Sequence, residues 1–222
     1  MLRHEDYGVA SAVIDDLSRH SRSGLTTLSD IEALANPAQA PQTLHFSGSM
    51  TATFDMLRQQ SFPRGRSMER GGTIVADKRG ALSLQNIGGH ASFSDAFAPS
   101  YDLEDSRNYK AIGVFHTHPY DRTEGSMTGM SFSGGDIGAL ISAPVILAVV
   151  QSGPRLFALI KTALTPKEAD QAATRAAVRR DVIAHWHAGG TIQQGSRIVM
   201  QQYARRYNLA YYQGTAGIVH KV

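Results

Sequence analysis

Cysteine is absent from all 222 residues. That excludes a disulfide framework and any thiolate site, so a metal held by this chain must rest on His, Asp and Glu. Charge is also sparse, at 18% of residues with a formal net charge of +3. The basic residues are scattered. Arg64, Arg66 and Arg70, then the pairs Arg179-Arg180 and Arg205-Arg206, come nearest to clusters, and they read as solvated helix faces, not as a nucleic-acid surface. Long apolar runs are missing as well. Val145 to Val150 is the longest and is far too short to cross a bilayer. The start, Met-Leu-Arg-His-Glu-Asp-Tyr, lacks the apolar stretch of a secretory signal. The expectation is a cytoplasmic chain without membrane contact, and any export would use a route independent of a Sec-type signal. What the chain does have is 42% hydrophobic residues, enough to bury a core over one large domain or one domain with appendages.

The pattern along the chain alternates in period. Val9, Ala12, Val13 and Leu17 have helical spacing within residues 6–19. Residues 34–42 read as a linker because two prolines interrupt them. A helix is expected from about Met50 to Gln60, capped near Ser49. Gly72–Ala76 and Ala81–Ile87 flank Asp-Lys-Arg-Gly as a hairpin. A loop over residues 88–108 leads to a short strand, Ala111–Phe115. After a polar loop, a short helix should run from Ser133 to Ser142. Pro144–Gln151 and Arg155–Lys161 flank Ser-Gly-Pro as a second hairpin, apolar on both faces. Thr165-Pro166-Lys167-Glu168 has the form of a helix start, with the helix ending near Ala188 before Gly189-Gly190. Ser196–Tyr207 is a last helix, and Leu209–Tyr212 a last strand. This predicts an α/β fold: a curved mixed sheet flanked by helices, with extra helices at both ends. The expected division is an N-terminal extension over 1–44, a core over 45–162, and C-terminal helices with a short strand over 163–222.

Chemistry concentrates in three places. His116 and His118, two apart at a strand end, project from one face, where two imidazoles can meet one ion. Pro119 then ends the strand. Asp136, in the first turn of the next helix, is the natural third ligand, and three protein ligands with one open position suit a single catalytic Zn2+. Ser133 lies on the same side of that turn and could donate to an oxygen gaining charge. Glu69, at the start of the first hairpin, is the candidate base.

The order Glu, His-x-His-Pro, Ser-x-x-Asp resembles the JAMM (MPN+) metalloprotease family, which includes deubiquitinating isopeptidases and bacterial relatives. The stretch Glu69-Arg-Gly-Gly-Thr-Ile-Val is similar to that family's Glu-x-x-Gly strand start, and the order of elements over roughly residues 45–162 agrees. The resemblance implies a cytidine-deaminase-like core, zinc on His116, His118 and Asp136, Glu69 as general acid/base, and Ser133 stabilising the tetrahedral intermediate. It implies a protein or peptide substrate cut at a peptide or isopeptide bond. Residues 120–132 make a longer connection than the family's usual one. Thr117 between the histidines and Phe132 before the serine resemble the bacterial branch found in toxins, phage tail proteins and secreted effectors. That branch implies an alternative, an effector cutting a cell-wall or other amide, with a cognate inhibitor or delivery partner. A metal-free binding module of the same fold is the other alternative.

Blander readings stand beside these. Ser133-x-x-Asp136 is also a capping box, and Asp136 can serve a metal while Ser133 caps. Glu104 and Glu124 rival Glu69 as bases. His185 and His187, two apart on a helix, diverge by about 200° and cannot share an ion; they read as a surface pair flanking a buried side of Trp186. His45 and His90 are undecided. Tyr203, Tyr207, Tyr211 and Tyr212 read as anchors of the last helix and strand, and Met127 and Met130 as substrate contacts or loop pins. Substrate-binding residues are not named by the sequence; the loops at 88–108 and 119–132 are the expected seat of specificity.

Overall fold

A computed structural model of the protein describes residues 34–63, 67–77, 81–88, 97–119 and 128–222. Its strands are β1 (Thr43–His45), β2 (Gly71–Asp77), β3 (Leu82–Gly88), β4 (Tyr109–Thr117), β5 (Leu147–Ser152), β6 (Arg155–Ile160), β7 (Ala210–Thr215) and β8 (Ile218–Lys221). Its helices are α1 (Gly48–Gln60), α2 (Gly134–Ser142), α3 (Gln171–His187) and α4 (Ile192–Arg206). The expected helix over 6–19, the turn residues 78–80, His90, Glu124 and Met127 lie outside the described residues.

The strands join one sheet in the order β1-β8-β7-β6-β5-β4-β2-β3. Only β4 and β5 run parallel; every other neighbouring pair is antiparallel. The fold is therefore α/β with a mixed sheet, as the alternation of periods predicts. Alternating side chains split the core in two. On one face α1 covers Leu147, Val149, Ala158 and Tyr212, with Phe54 stacked on Phe115 at 4.0 Å between ring centres. The same apolar cluster takes in Leu44 and Val219 from one edge and Ile74 and Leu82 from the other, so the sheet curls around α1. On the opposite face α2, α3 and α4 cover Val114, Ala148, Val150, Phe157 and Tyr211. Both arms of the β5–β6 hairpin are buried almost throughout, as strands covered on two sides must be.

The parallel pair fixes where chemistry can happen. Parallel neighbours need a crossover, and here α2 supplies it. The N-terminus of α2 is thereby brought to the carboxyl end of β4, the end where ligands bind in sheets of this kind. Gly134 and Gly138 let α2 lie close on α3. A Cβ at Gly134 would stand 2.5 Å from the Thr174 carbonyl oxygen, and one at Gly138 would stand 2.9 Å from the Gln171 Cα.

Several boundaries differ from those the sequence suggests. Residues 34–42 are not a free linker: Leu34 and Ala40 are buried, Pro37–Gln39 form a 3-10 turn, and Thr43–His45 pair with β8. The cap of α1 is Ser47, whose Oγ accepts the Met50 N–H. Helix α3 begins at Gln171 behind Asp170, not at Pro166. The Thr165 hydroxyl is committed elsewhere, accepting the Thr162 N–H and donating to the Asn208 carbonyl. Helix α4 starts at Ile192, because Thr191 and Gln194 form a capping box ahead of Ser196. The stretch after 162 adds two strands to the sheet, β7 and β8, where one was expected.

Candidate metal centre

Strand pairing sets the histidines opposite the acid. Gly71 pairs with His116 in the antiparallel β2–β4 ladder, and the pairing continues past β2, where the Thr117 N–H donates to the Arg70 carbonyl. Counting one step further back places Glu69 opposite His118. Thr117 points to the other face, where its hydroxyl meets Ser61 at 2.7 Å and accepts the Arg70 N–H. His116 and His118 thus share the face covered by α2, α3 and α4. The His118 N–H donates to the Gln151 carbonyl on β5, which fixes the residue although it lies just beyond its strand.

The two imidazoles face each other through Nε2, 3.1 Å apart, with ring planes at 64°. Asp136 meets both: Oδ1 is 3.2 Å from His116 Nε2, and Oδ2 is 3.5 Å from His118 Nε2. Glu69 Oε1 lies 3.9 Å from His118 Nε2. Ligand atoms of Glu69, His116 and His118 all fall within 4.8 Å of one another, so this group could hold a metal ion.

The spacings can be tested against a metal's demands. Bonds of about 2.0–2.2 Å at tetrahedral angles set ligand atoms about 3.3 Å apart. The contacts among His116, His118 and Asp136 straddle that value, whereas the Glu69 oxygen sits further out. Two imidazoles and a carboxylate are also a donor set that suits zinc. The residues present fit the ion.

Hydrogen bonds hold each carboxylate. The Phe97 N–H donates to Glu69 Oε2 at 2.8 Å, leaving Oε1 toward His118. The segment carrying Phe97 is itself tied down, because the Thr73 hydroxyl and Asn86 Nδ2 both donate to the Ser100 carbonyl. The Phe97 ring stacks over His116 at 6.4 Å. Ser133 and Asp136 form the expected capping box: the Ser133 N–H donates to Asp136 Oδ2 at 2.6 Å, and the Asp136 N–H to Ser133 Oγ at 3.2 Å. The capping and the site-facing readings of this motif coexist.

Electrostatics follow from this packing. Burial opposes a charged His116, but Asp136 and, less, Glu69 outweigh it, and the pKa of His116 is raised above 6.5. Burial would likewise raise Asp136, yet His116 and His118 hold it well below 3.8. The carboxylate is therefore ionised at neutral pH.

No protein family, curated protein or solved structure matches this chain. The site is therefore read from its own geometry.

Other sequence candidates fall away from it. Glu104 is exposed in a turn before β4. His45 is on β1, five strands from β4. Trp186 is not buried: it is 51% exposed and packs against His187. His185 turns inward against Gly190 and Gly195 instead. The tyrosines do anchor, through Tyr203 to Asp181, Tyr207 to Thr174, Tyr211 to Ser131 and Tyr212 to the Pro41 carbonyl. Met130 lines a cleft of about 440 Å³ that starts at His118 and Ser133 and continues between α3 and α4. The sequence gives no sign of that cleft, because its walls come from two helices after residue 170 that only tertiary packing brings to the site. The absence of a membrane-crossing helix holds among the described residues, where no helix is long and apolar enough.

Proposed function

We propose that this chain is a zinc-dependent hydrolase of the JAMM type, cutting a peptide or isopeptide bond, with His116, His118 and Asp136 as its metal ligands. One observation carries the reading. Three side chains, His116, His118 and Asp136, converge with contacts of 3.1, 3.2 and 3.5 Å, beside the more distant carboxylate of Glu69, at the mouth of a cleft. A site meant only to hold a metal gains from closing its coordination sphere, whereas a catalytic one keeps a place open for reactants. Zinc bound here would polarise a carbonyl and lower the pKa of water to about 7.

The chain's own residues supply the rest. Glu69 has one oxygen fixed by the Phe97 N–H and the other facing the histidines, the arrangement of a base that accepts a proton and hands it on. Ser133 accepts the Asp136 N–H, so its hydroxyl hydrogen is left to donate toward the cleft, where a substrate oxygen gaining charge would lie. Asp136 stays ionised, as a ligand must.

Metal analysis of protein purified without chelator tests the ligand set. A single zinc per chain is expected, and none after His118→Ala. Protein that carries no zinc and takes none up would leave the metal-free module as the better reading. Incubation with a mixed peptide pool, read by mass spectrometry, tests the hydrolysis.

A further inference from the structure

The cleft beside the metal centre has two characters. Its floor is apolar, built by Phe132, Val178, Val182, Ile183 and Ile192. Ile183 is 37% exposed, so part of this floor meets solvent. Its rim is basic. Arg175 and Arg179, one turn apart on α3, both line it, and among the described residues neither has a carboxylate partner. Arg175 stands next to the reacting end. Its Nε and the Ser133 Oγ each lie 3.4 Å from the point a side chain on Gly135 would occupy. The missing side chain at Gly135 leaves that space open.

We infer that the cleft selects the substrate by seating an aliphatic side chain on the α3–α4 floor and a neighbouring carboxylate on Arg175 and Arg179, so that the preferred substrate is an acidic-aliphatic peptide. Charge complementarity and continuity with the site argue for this occupant. An unpaired guanidinium offers a planar fork matched to a carboxylate. An open apolar floor leading from His118 and Ser133 is covered most directly by the chain being processed. A basic peptide would meet like charge at the rim, and a purely polar one would leave the floor wet. The inference rests on the hydrolase reading for the word substrate, but the recognition itself needs no bond to break.

Binding therefore tests it separately from turnover. Four fluorescein-labelled peptides, Gly-Ser-Leu-Glu-Gly-Ser, Gly-Ser-Leu-Gln-Gly-Ser, Gly-Ser-Gly-Glu-Gly-Ser and Gly-Ser-Leu-Lys-Gly-Ser, are titrated with full-length Glu69→Gln protein and read by fluorescence anisotropy. The Leu-Glu peptide should bind about tenfold more tightly than the Leu-Gln one, the gain expected of a charge-assisted contact. It should also bind more tightly than the Gly-Glu one. Arg175→Gln with Arg179→Gln, both at exposed helix positions, should erase the preference for Glu, and Arg175→Glu should shift it toward Gly-Ser-Leu-Lys-Gly-Ser. Equal affinity for the Glu and Gln peptides, no measurable binding, or a Glu preference that survives the double substitution overturns the inference. Tight, selective binding without cleavage by the wild-type protein would instead uphold the recognition and remove the hydrolase reading.

Discussion

Asp136 is held by Ser133 through its Oδ2, 2.6 Å from the serine N–H, while its Oδ1 faces His116 Nε2 at 3.2 Å. One carboxylate thus closes the helix cap and completes the three-residue cluster, and the cap aims it. This separates two substitutions. Ser133→Ala removes one capping acceptor and should cost about 1 kcal/mol of stability. It should keep zinc and lose turnover. Asp136→Ala should lose zinc as well. Paired thermal melts and metal analysis read the difference. If Ser133→Ala emptied the site of metal, the serine would be a structural prop for the ligand and its role in turnover would have no support.

Glu69 tests the base. Glu69→Gln keeps an oxygen to accept the Phe97 N–H, so the loop should stay in place and the zinc content should not change. The general-base contribution should vanish, lowering turnover by about 10²–10⁴-fold. Undiminished cleavage of a peptide found in the pool would reassign the base.

How far the sequence could foresee this site depends on how local each signal is. His116 and His118 are legible because strand alternation puts residues two apart on one face. Asp136 is legible because its helix start is written in Ser133-x-x-Asp136. Glu69 is different. Its neighbourhood with His118 comes from the β2–β4 register, which joins residues some fifty positions apart, so the sequence marks it only by its place at the start of the first hairpin and by the family resemblance. Strands β1 and β8 escaped for physical reasons. β1 is a three-residue edge after two prolines. The turn before β8 uses Ala216 and Gly217, both at positive φ, where the usual signal is Asn-Gly. The false start of α3 at Pro166 is a case of tertiary override: Thr165 has the chemistry of a cap, and Asn208 claims its hydroxyl. The cleft is the largest omission, since α3 contributes Arg175 and Val178 by packing that no periodicity reveals.

Proton and metal should compete at His116, with opposite signs for the two forms of the protein. A histidine whose pKa is raised by folding stabilises fully below its unfolded value of 6.5, and that gain is lost as pH climbs through the raised value. Asp136, held low, stabilises above 3.8 and loses its share only as pH falls through its depressed value. From this pair, the zinc-free protein is most stable between about pH 4 and 6.5. Zinc must displace the His116 proton, so its affinity should rise with pH across and above 6.5. The gap in Tm between zinc-loaded and chelator-treated protein should therefore widen from pH 6 to pH 8. A gap that stayed constant or narrowed would mean that His116 is not a ligand.

Two glycines at the starts of helices should respond in opposite ways to the same change. Gly48 opens α1, and a Cβ there meets nothing within 4 Å. Gly48→Ala should be neutral or stabilising by up to about 1 kcal/mol, because alanine loses less backbone freedom on folding. Gly134 opens α2 beside the candidate metal centre, and its added Cβ would lie 2.5 Å from the Thr174 carbonyl oxygen and 2.7 Å from the Arg175 Cα. Both obstacles are backbone, which cannot swing aside. Gly134→Ala should push α2 and α3 apart at a cost of about 1–3 kcal/mol. The same displacement moves Asp136 relative to His116 and His118, so zinc affinity should fall together with stability. Gly48→Ala, made on the opposite face of the sheet, should leave zinc affinity where it was. Chemical denaturation with chelator-competition titrations on both variants checks the pair. A Gly134→Ala protein of unchanged affinity would show that α2 does not need its close seat on α3 to place the aspartate.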